Sequence, residues 1–142
     1  MMIRHATIDD LPRLVTMAEH FVGQTEYARH VGAHPEQIAR LATWLIDSPS
    51  SVVLVTGEPL VGMIGMTVYP HPMSGELTGA EVVWWVEPEA RGCGGELLRA
   101  AETWAIAQGA QRLQMVAPTD DVAQLYEHFG YELIERNYQR KV

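Results

Sequence analysis

Pro88-Glu89-Ala90-Arg91-Gly92-Cys93-Gly94-Gly95-Glu96-Leu97-Leu98 joins two apolar segments of different kind. Before it runs Val82-Val83-Trp84-Trp85-Val86, short, β-branched and aromatic, as a strand is. After it comes Leu97-Leu98-Arg99-Ala100-Ala101-Glu102-Thr103-Trp104-Ala105, rich in helix formers. A strand, a glycine turn and a helix start make an anion site. The first helical N–H groups have no intrahelical partner, and the positive end of the helix dipole lies at them. Glycines let the backbone approach a bulky anion with its N–H groups turned inward. The expected ligand is a diphosphate on a nucleotide-bearing cofactor.

The spacing narrows the choice. A dinucleotide fold needs GxGxxG and an acidic residue about 20 residues on, whereas the glycines here read Gly92-x-Gly94-Gly95. A Walker loop needs Gly-Lys-Ser/Thr, and no lysine precedes Lys141. What remains is Trp84-x-Val86-x-Pro88-x-x-Arg91-Gly92-x-Gly94-x-Glu96, which resembles the acetyl-CoA pyrophosphate loop of the GCN5-related N-acetyltransferases (GNAT family). Glu96 departs from it, standing where that family has Gly or Ala. A second segment, Ala123-Gln124-Leu125-Tyr126-Glu127-His128-Phe129-Gly130-Tyr131, resembles the family's Ala-x-x-Leu-Tyr-x-x-x-Gly-Phe. Thr119 stands where the family often has Asn. The resemblance covers the chain well from about residue 81 to the end, and the N-terminal half in layout only.

The chain has 142 residues, 47% of them apolar, enough for one globular domain over 1–142 with a sizeable core. A net charge of −8 argues against a general binder of nucleic acid or anionic membrane. It permits a cationic amine substrate, but a bland acidic surface is the simpler reading. The lone cysteine, Cys93, excludes an internal disulfide, and the six histidines are scattered without metal-ligand spacing. No leader or 18-residue apolar span is evident, which leads to the expectation of a cytoplasmic protein.

Residues 3–6 read as an opening strand. Thr7 and Asp10 resemble a capping box, and Leu11, Leu14, Val15, Ala18 and Val22 follow helical spacing. Residues 23–34 read as a polar loop. Pro35 starts a helix with Ile38, Leu41, Ala42 and Leu45 on one face. Strands are expected over 51–56 and 60–69, joined by Gly57-Glu58-Pro59, then over 80–86, 113–117 and 131–140. The Leu97 helix is expected to end near Gly109, and a helix with Val122, Leu125, Tyr126 and Phe129 on one face to stop at Gly130. The order β-α-α-β-β-β-α-β-α-β is mixed α/β. It agrees with the GNAT layout, in which two central strands splay around the acyl thioester.

The resemblance implies an acetyl-CoA-dependent N-acetyltransferase that transfers acetyl to a primary amine of a small molecule or peptide. Acetyl-CoA is the cosubstrate and no metal is called for. It places cofactor contacts at Trp85, Val86, Arg91, Gly92, Cys93, Gly94, Gly95, Glu96 and Thr119. A bulge at Trp85–Val86 is expected to free an N–H for the thioester carbonyl. The Trp84 and Trp85 side chains read as core and rim aromatics. Tyr126 matches the family tyrosine near the CoA sulfur, although its apolar face also suits a core position. Its phenol is a candidate acid for the departing thiolate. Glu81 begins the central strand, shares a face with Val83 and Trp85 by alternation, and is a candidate base if burial raises its pKa. The competing reading is an exposed strand-end carboxylate, with Glu76 and His71 as weaker bases. Arg91 is placed at the pyrophosphate. The helix terminus is expected to lower the pKa of Cys93, without making it a catalytic thiol.

Two other readings stand beside this one. A non-catalytic acyl-CoA-binding regulatory module would share the fold, and Glu96 and Thr119 are the departures that suggest it. A toxin-like enzyme acting on aminoacyl-tRNA is disfavoured by the negative charge. Partners are therefore expected to be an amine acceptor, with no nucleic acid and no membrane. A homodimer is compatible with the chain.

Overall fold

The structure, a computed structural model, describes residues 2–142. Its elements are β1 (Ile3–His5), α1 (Leu11–Gly23), α2 (Tyr27–His30), α3 (Pro35–Asp47), β2 (Ser51–Thr56), β3 (Gly62–Pro70), β4 (Leu77–Val86), α4 (Gly94–Ala107), β5 (Arg112–Gln114) and α5 (Asp120–His128). Short 3-10 turns precede α1 at Ile8–Asp10 and α4 at Pro88–Cys93. The expected capping interaction forms: Thr7 N–H donates to Asp10 Oδ2 at 2.8 Å.

The five strands make one sheet in chain order. The first three pairings are antiparallel, and β4 with β5 is parallel, reached by the crossover through α4. Alternation sends successive residues to two cores. Val52, Leu54, Ile64, Met66 and Val86 meet Leu97, Leu98, Ala101 and Ala105 of α4 and Tyr126 of α5. Val53, Val55, Met63 and Trp85 meet Leu14 and Met17 of α1 and Ala42 and Leu45 of α3. Leu97 and Leu98 are fully buried, each contributing about 1.5–3 kcal/mol by removal from water. Two glycines let α4 lie close. A Cβ on Gly62 would come within 2.8 Å of Leu97 Cδ1, and one on Gly79 within 2.8 Å of Ala105 Cβ.

Pairing of β4 with β5 runs only from Thr78 with Arg112 to Ala80 with Gln114. Beyond that point β4 continues to Val86 while the chain after Gln114 leaves the sheet. The two strands therefore part, and β4 from Glu81 onward has an open edge on that side.

The fold class is the one expected, with local differences. The 23–34 segment contains the short helix α2, and the glycines at 94 and 95 lie inside α4 rather than in a loop before it. The closing strand expected over 131–140 does not form: no described residue after His128 belongs to a helix or strand. Gly130, at φ +92°, stops α5 as expected. Leu133 and Ile134 are adjacent and so point to opposite faces of any strand. The sheet has a core on each face, yet both are exposed, as is Tyr138.

Candidate active site

The site begins with one extra residue in β4. Gly65 pairs with Val83 and Met66 with Glu81, so Val82 is left over as a β-bulge. Simple alternation would put Glu81 on the face of Val83 and Trp85, as the sequence suggested. The inserted residue reverses this. Glu81 pairs with Met66, which belongs to the α4–α5 core, and so turns to the face of Trp84 and Val86. The bulge thus lies three residues before its expected place at Trp85–Val86, where the ladder with Met63 and Gly62 is regular.

The edge groups of β4 follow from one bond. Glu87 N–H donates to Val61 O at 2.8 Å, toward β3. By antiparallel alternation Trp85 N–H also faces β3, whereas Trp84 and Val86 turn N–H and C=O toward the open edge. Val86 lies on that edge without the expected bulge. For Trp85 the corresponding backbone position belongs to its neighbour Trp84.

Re-aimed by the bulge, Glu81 meets Tyr126. The Tyr126 hydroxyl donates to Glu81 Oε1 at 3.1 Å and lies 3.1 Å from Val116 O, on the segment after β5. The Tyr126 ring is buried and stacked on Trp84 at 5.7 Å between centroids. Trp84 Nε1 is itself buried without a hydrogen-bond partner. Burial raises the Glu81 pKa to about 7, against weaker lowering by the Tyr126 hydroxyl and the Val116 backbone. Burial, followed by the Glu81 charge and the hydrogen bond to it, pushes the Tyr126 phenol far above its ordinary range. The arrangement therefore pairs a carboxyl that changes protonation near neutral pH with a phenol that keeps its proton. Both expected catalytic residues are thus brought into one contact.

The glycine turn is tighter than an open cradle. Ala90 N–H donates to Glu87 O at 2.9 Å, and Gly94 N–H donates to Arg91 O. The expectation of unpartnered N–H groups therefore fails at Gly94, because the 3-10 turn feeds directly into α4. Gly92 is exposed, and a Cβ placed on it would meet nothing within 4 Å. Gly94 is different: its Cβ would lie 3.3 Å from the Trp84 ring. Gly95 would meet Phe129 at 3.5 Å. Arg91 is exposed and its Nε donates to Val86 O at 2.8 Å. Exposed Arg91 and Gly92, beside an open strand edge and the start of α4, fit a diphosphate-bearing acyl carrier. Glu96, in the first turn of α4, is exposed. Cys93 is buried, and burial pushes its thiol pKa up, with the Glu96 charge adding to the rise. This reverses the expected lowering by the helix terminus.

Thr119 caps α5, its Oγ1 accepting from Val122 N–H at 3.3 Å. It also lines a groove of about 1220 Å³, together with Tyr126, Val116, His71 and Glu76. His71 and Glu76 brace their own turn: His71 N–H donates to Glu76 O at 2.8 Å, and His71 Nδ1 accepts from Met73 N–H at 3.0 Å. The sequence reading missed Glu87, buried at the end of β4 and bonded to His20 and Trp85. Its signal was present, since Glu87 lies two residues after Trp85 and so shares its face. Among the described residues no group of three or more His, Cys, Asp and Glu could hold a metal, and no helix is long and apolar enough to cross a membrane.

A sheet parted between β4 and β5, with a glycine turn and helix at the end of the parting strand, defines the class. The model of the acetyltransferase (GNAT) family matches residues 14–131, and the chain belongs to that family. Similar solved structures span nearly its whole length. A transcriptional regulator from Bacillus halodurans C-125 superposes with TM-score 0.82 at 21% identity, covering 99% of each chain. An acetyltransferase from Trypanosoma brucei gives 0.76 at 18%, again covering 99% of each. A ribosomal-protein-alanine N-acetyltransferase from Brucella melitensis biovar Abortus 2308 gives 0.73 at 18%, covering 99% of this chain and 98% of that one. At such identities the likeness is one of fold. No curated protein matches the chain.

Proposed function

We propose that the chain, acting as one domain over 1–142, is an acetyl-CoA-dependent N-acetyltransferase acting on a primary amine by direct attack on the thioester. The observation that carries this reading is the position of the Glu81–Tyr126 pair. Glu81 is the first residue past Ala80, the last position of β4 paired with β5, and Tyr126 reaches it across the gap. A thioester lying along the open edge of β4 would end beside this pair. The edge groups of Trp84 and Val86 would hold its carrier arm, with Arg91 and Gly92 at the diphosphate.

Acetyl-CoA supplies an activated acyl carbon. In the reaction the amine nitrogen forms a bond to that carbon, the carbon–sulfur bond breaks, and the ammonium substrate gives up two protons. One goes to the leaving thiolate and one to solvent. Glu81, with a pKa of about 7, is matched to accepting a proton from an ammonium near neutral pH. Tyr126, held against Glu81, is placed to share a proton between that carboxyl and the sulfur. Its high pKa makes it a poor acid when Glu81 is ionised, and a better one when Glu81 carries a proton.

One observation favours a second reading, a non-catalytic acyl-CoA-binding module: the commitment of Gly94 N–H to Arg91 O removes one donor from the turn. Calorimetric titration with acetyl-CoA, followed by measurement of thiol release with a panel of amines, separates the two. Binding with amine-dependent thiol release is expected. Binding without release for any amine would favour the module, and no binding would overturn both.

A further inference from the structure

A chain of contacts runs from α1 to the end of β4 and back onto the glycine turn. His20 Nδ1, on α1, lies 2.8 and 3.0 Å from the two Glu87 carboxylate oxygens. Trp85 Nε1–H donates to Glu87 Oε1 at 2.8 Å. The Arg91 guanidinium carbon sits 4.8 Å from the Trp85 ring centroid, and Arg91 Nε donates to Val86 O at 2.8 Å. Glu87 is only 6% exposed, and its own N–H is tied to Val61 O.

A carboxylate this buried is costly unless its oxygens are satisfied. Burial acts to raise the Glu87 pKa, but the hydrogen bonds from His20 and Trp85, with the charges of His20 and Arg13, leave it below the ordinary value. The group is ionised at neutral pH and is a strong acceptor. Its bond to Nε1 fixes the rotation of the Trp85 indole, which Phe21 also meets edge-on at 6.2 Å. The fixed ring then gives the Arg91 guanidinium a flat, electron-rich floor. One of the five guanidinium donors, Nε–H, goes to Val86 O, which leaves the four N–H donors of the two terminal amino groups for an anion. None of these contacts enters the chemistry proposed at Glu81 and Tyr126.

We propose that Glu87 and Trp85 are positioning residues that hold Arg91 ready for the diphosphate of the acyl carrier. The proposal rests on the acetyl-CoA reading above. Arginine loses much rotamer freedom on binding an anion. Fixing it beforehand through Trp85 and Val86 transfers that loss to folding and strengthens the complex.

A double-mutant cycle read by calorimetry with free CoA tests it. Arg91→Ala is expected to weaken CoA binding at least about tenfold, and Glu87→Gln about three- to tenfold. In the Arg91→Ala background, Glu87→Gln is expected to change the affinity by less than about 1.5-fold, because its effect passes through Arg91. A merely structural role would weaken both backgrounds alike. If Glu87→Gln does not fold, Trp85→Phe serves in the same cycle: it removes the anchoring N–H and keeps a smaller aromatic face under Arg91. Equal effects in both backgrounds, no effect in either, or an Arg91→Ala protein that binds CoA like the wild type would each overturn the positioning role. A wild-type protein that binds no CoA would instead overturn the acetyl-CoA reading, and this proposal with it.

Discussion

Tyr126 and Glu81 lie 45 residues apart in sequence, yet the Tyr126 hydroxyl approaches Glu81 Oε1 to 3.1 Å while also lying 3.1 Å from Val116 O. The hydroxyl has one proton and two acceptors. With Glu81 ionised, that proton is drawn to the carboxylate and Val116 O loses its donor. With Glu81 protonated, the carboxyl can donate to the phenol oxygen and the phenol to Val116 O, so every group is satisfied. The site therefore has two hydrogen-bonding arrangements, exchanged by one proton, and it sits where β4 and β5 part.

The first prediction concerns stability against pH. The folded-state pKa of Glu81 is raised from 4.5 to about 7. A carboxyl raised in this way binds more protons in the folded state between those values. Its contribution is fully present below about pH 4.5, falls as pH rises toward 7, and levels off above that. The loss is on the order of 3 kcal/mol at most. Glu81→Gln keeps an acceptor for Tyr126 and cannot ionise. It should be more stable than wild type by about 1–3 kcal/mol at pH 8, with the gain disappearing toward pH 4.5. Urea unfolding at pH 4.5, 6 and 8 measures this, and a difference that does not vary with pH would mean that Glu81 titrates as an ordinary carboxyl.

Removing the Tyr126 hydroxyl tests the proton-sharing role. Tyr126→Phe keeps the ring stacked on Trp84. Turnover should fall at least about tenfold while acetyl-CoA affinity changes less than about twofold, because the lost interaction matters as the thiolate forms. Stability should fall by about 1–3 kcal/mol, since Val116 O and Glu81 lose a donor. Full turnover, under conditions where chemistry limits the rate, would leave Tyr126 as a packing residue.

What the sequence disclosed and what it hid follow from the range of the forces involved. Helical periodicity at Leu11, Leu14, Ala18 and at Val122, Tyr126, Phe129 reads directly, because it repeats within a few residues. The strand–glycine–helix order around Arg91–Gly92 is local too. The bulge at Val82 is not. Nothing in Glu81-Val82-Val83 distinguishes a bulged strand from a regular one, because the extra residue exists only relative to Gly65 and Met66 on β3. That single residue decides which face Glu81 serves. The same holds for Gly94, whose role lies in its distance to Trp84 rather than in backbone freedom. The closing strand expected over 131–140 is the reverse case: the adjacent apolar pair Leu133-Ile134 suggests a strand buried on both faces, yet both residues are exposed.

Thr119 offers a test of structural against cofactor roles. Its Oγ1 accepts from Val122 N–H at the start of α5. Thr119→Ala should lower stability by about 1 kcal/mol through the lost cap, and Thr119→Ser should restore it. Acetyl-CoA affinity measured on the same two proteins separates the possibilities. Equal affinity in Ala and Ser variants would make Thr119 a cap alone, while a loss in Ala recovered in Ser would add a hydroxyl contact to the carrier.

The two glycines of the turn should respond differently to the same change. Gly94 has helical φ −60°, so a side chain there meets no backbone strain, but its Cβ would press on the Trp84 ring at 3.3 Å. Gly94→Val should therefore destabilise the fold by about 1–3 kcal/mol through overpacking. Because Trp84 stacks on Tyr126, it should disturb the Tyr126–Glu81 contact as well. Weaker CoA binding in that variant would not by itself locate the diphosphate. Gly92 has open space where its Cβ would be. Gly92→Val should leave the unfolding midpoint nearly unchanged while weakening CoA at least about tenfold, or about 1.4 kcal/mol, because the new side chain occupies the approach to the turn. Denaturant unfolding and calorimetry on both variants measure the contrast. A folded Gly92→Val protein with wild-type affinity for CoA would remove the diphosphate from this turn, whatever Gly94→Val does.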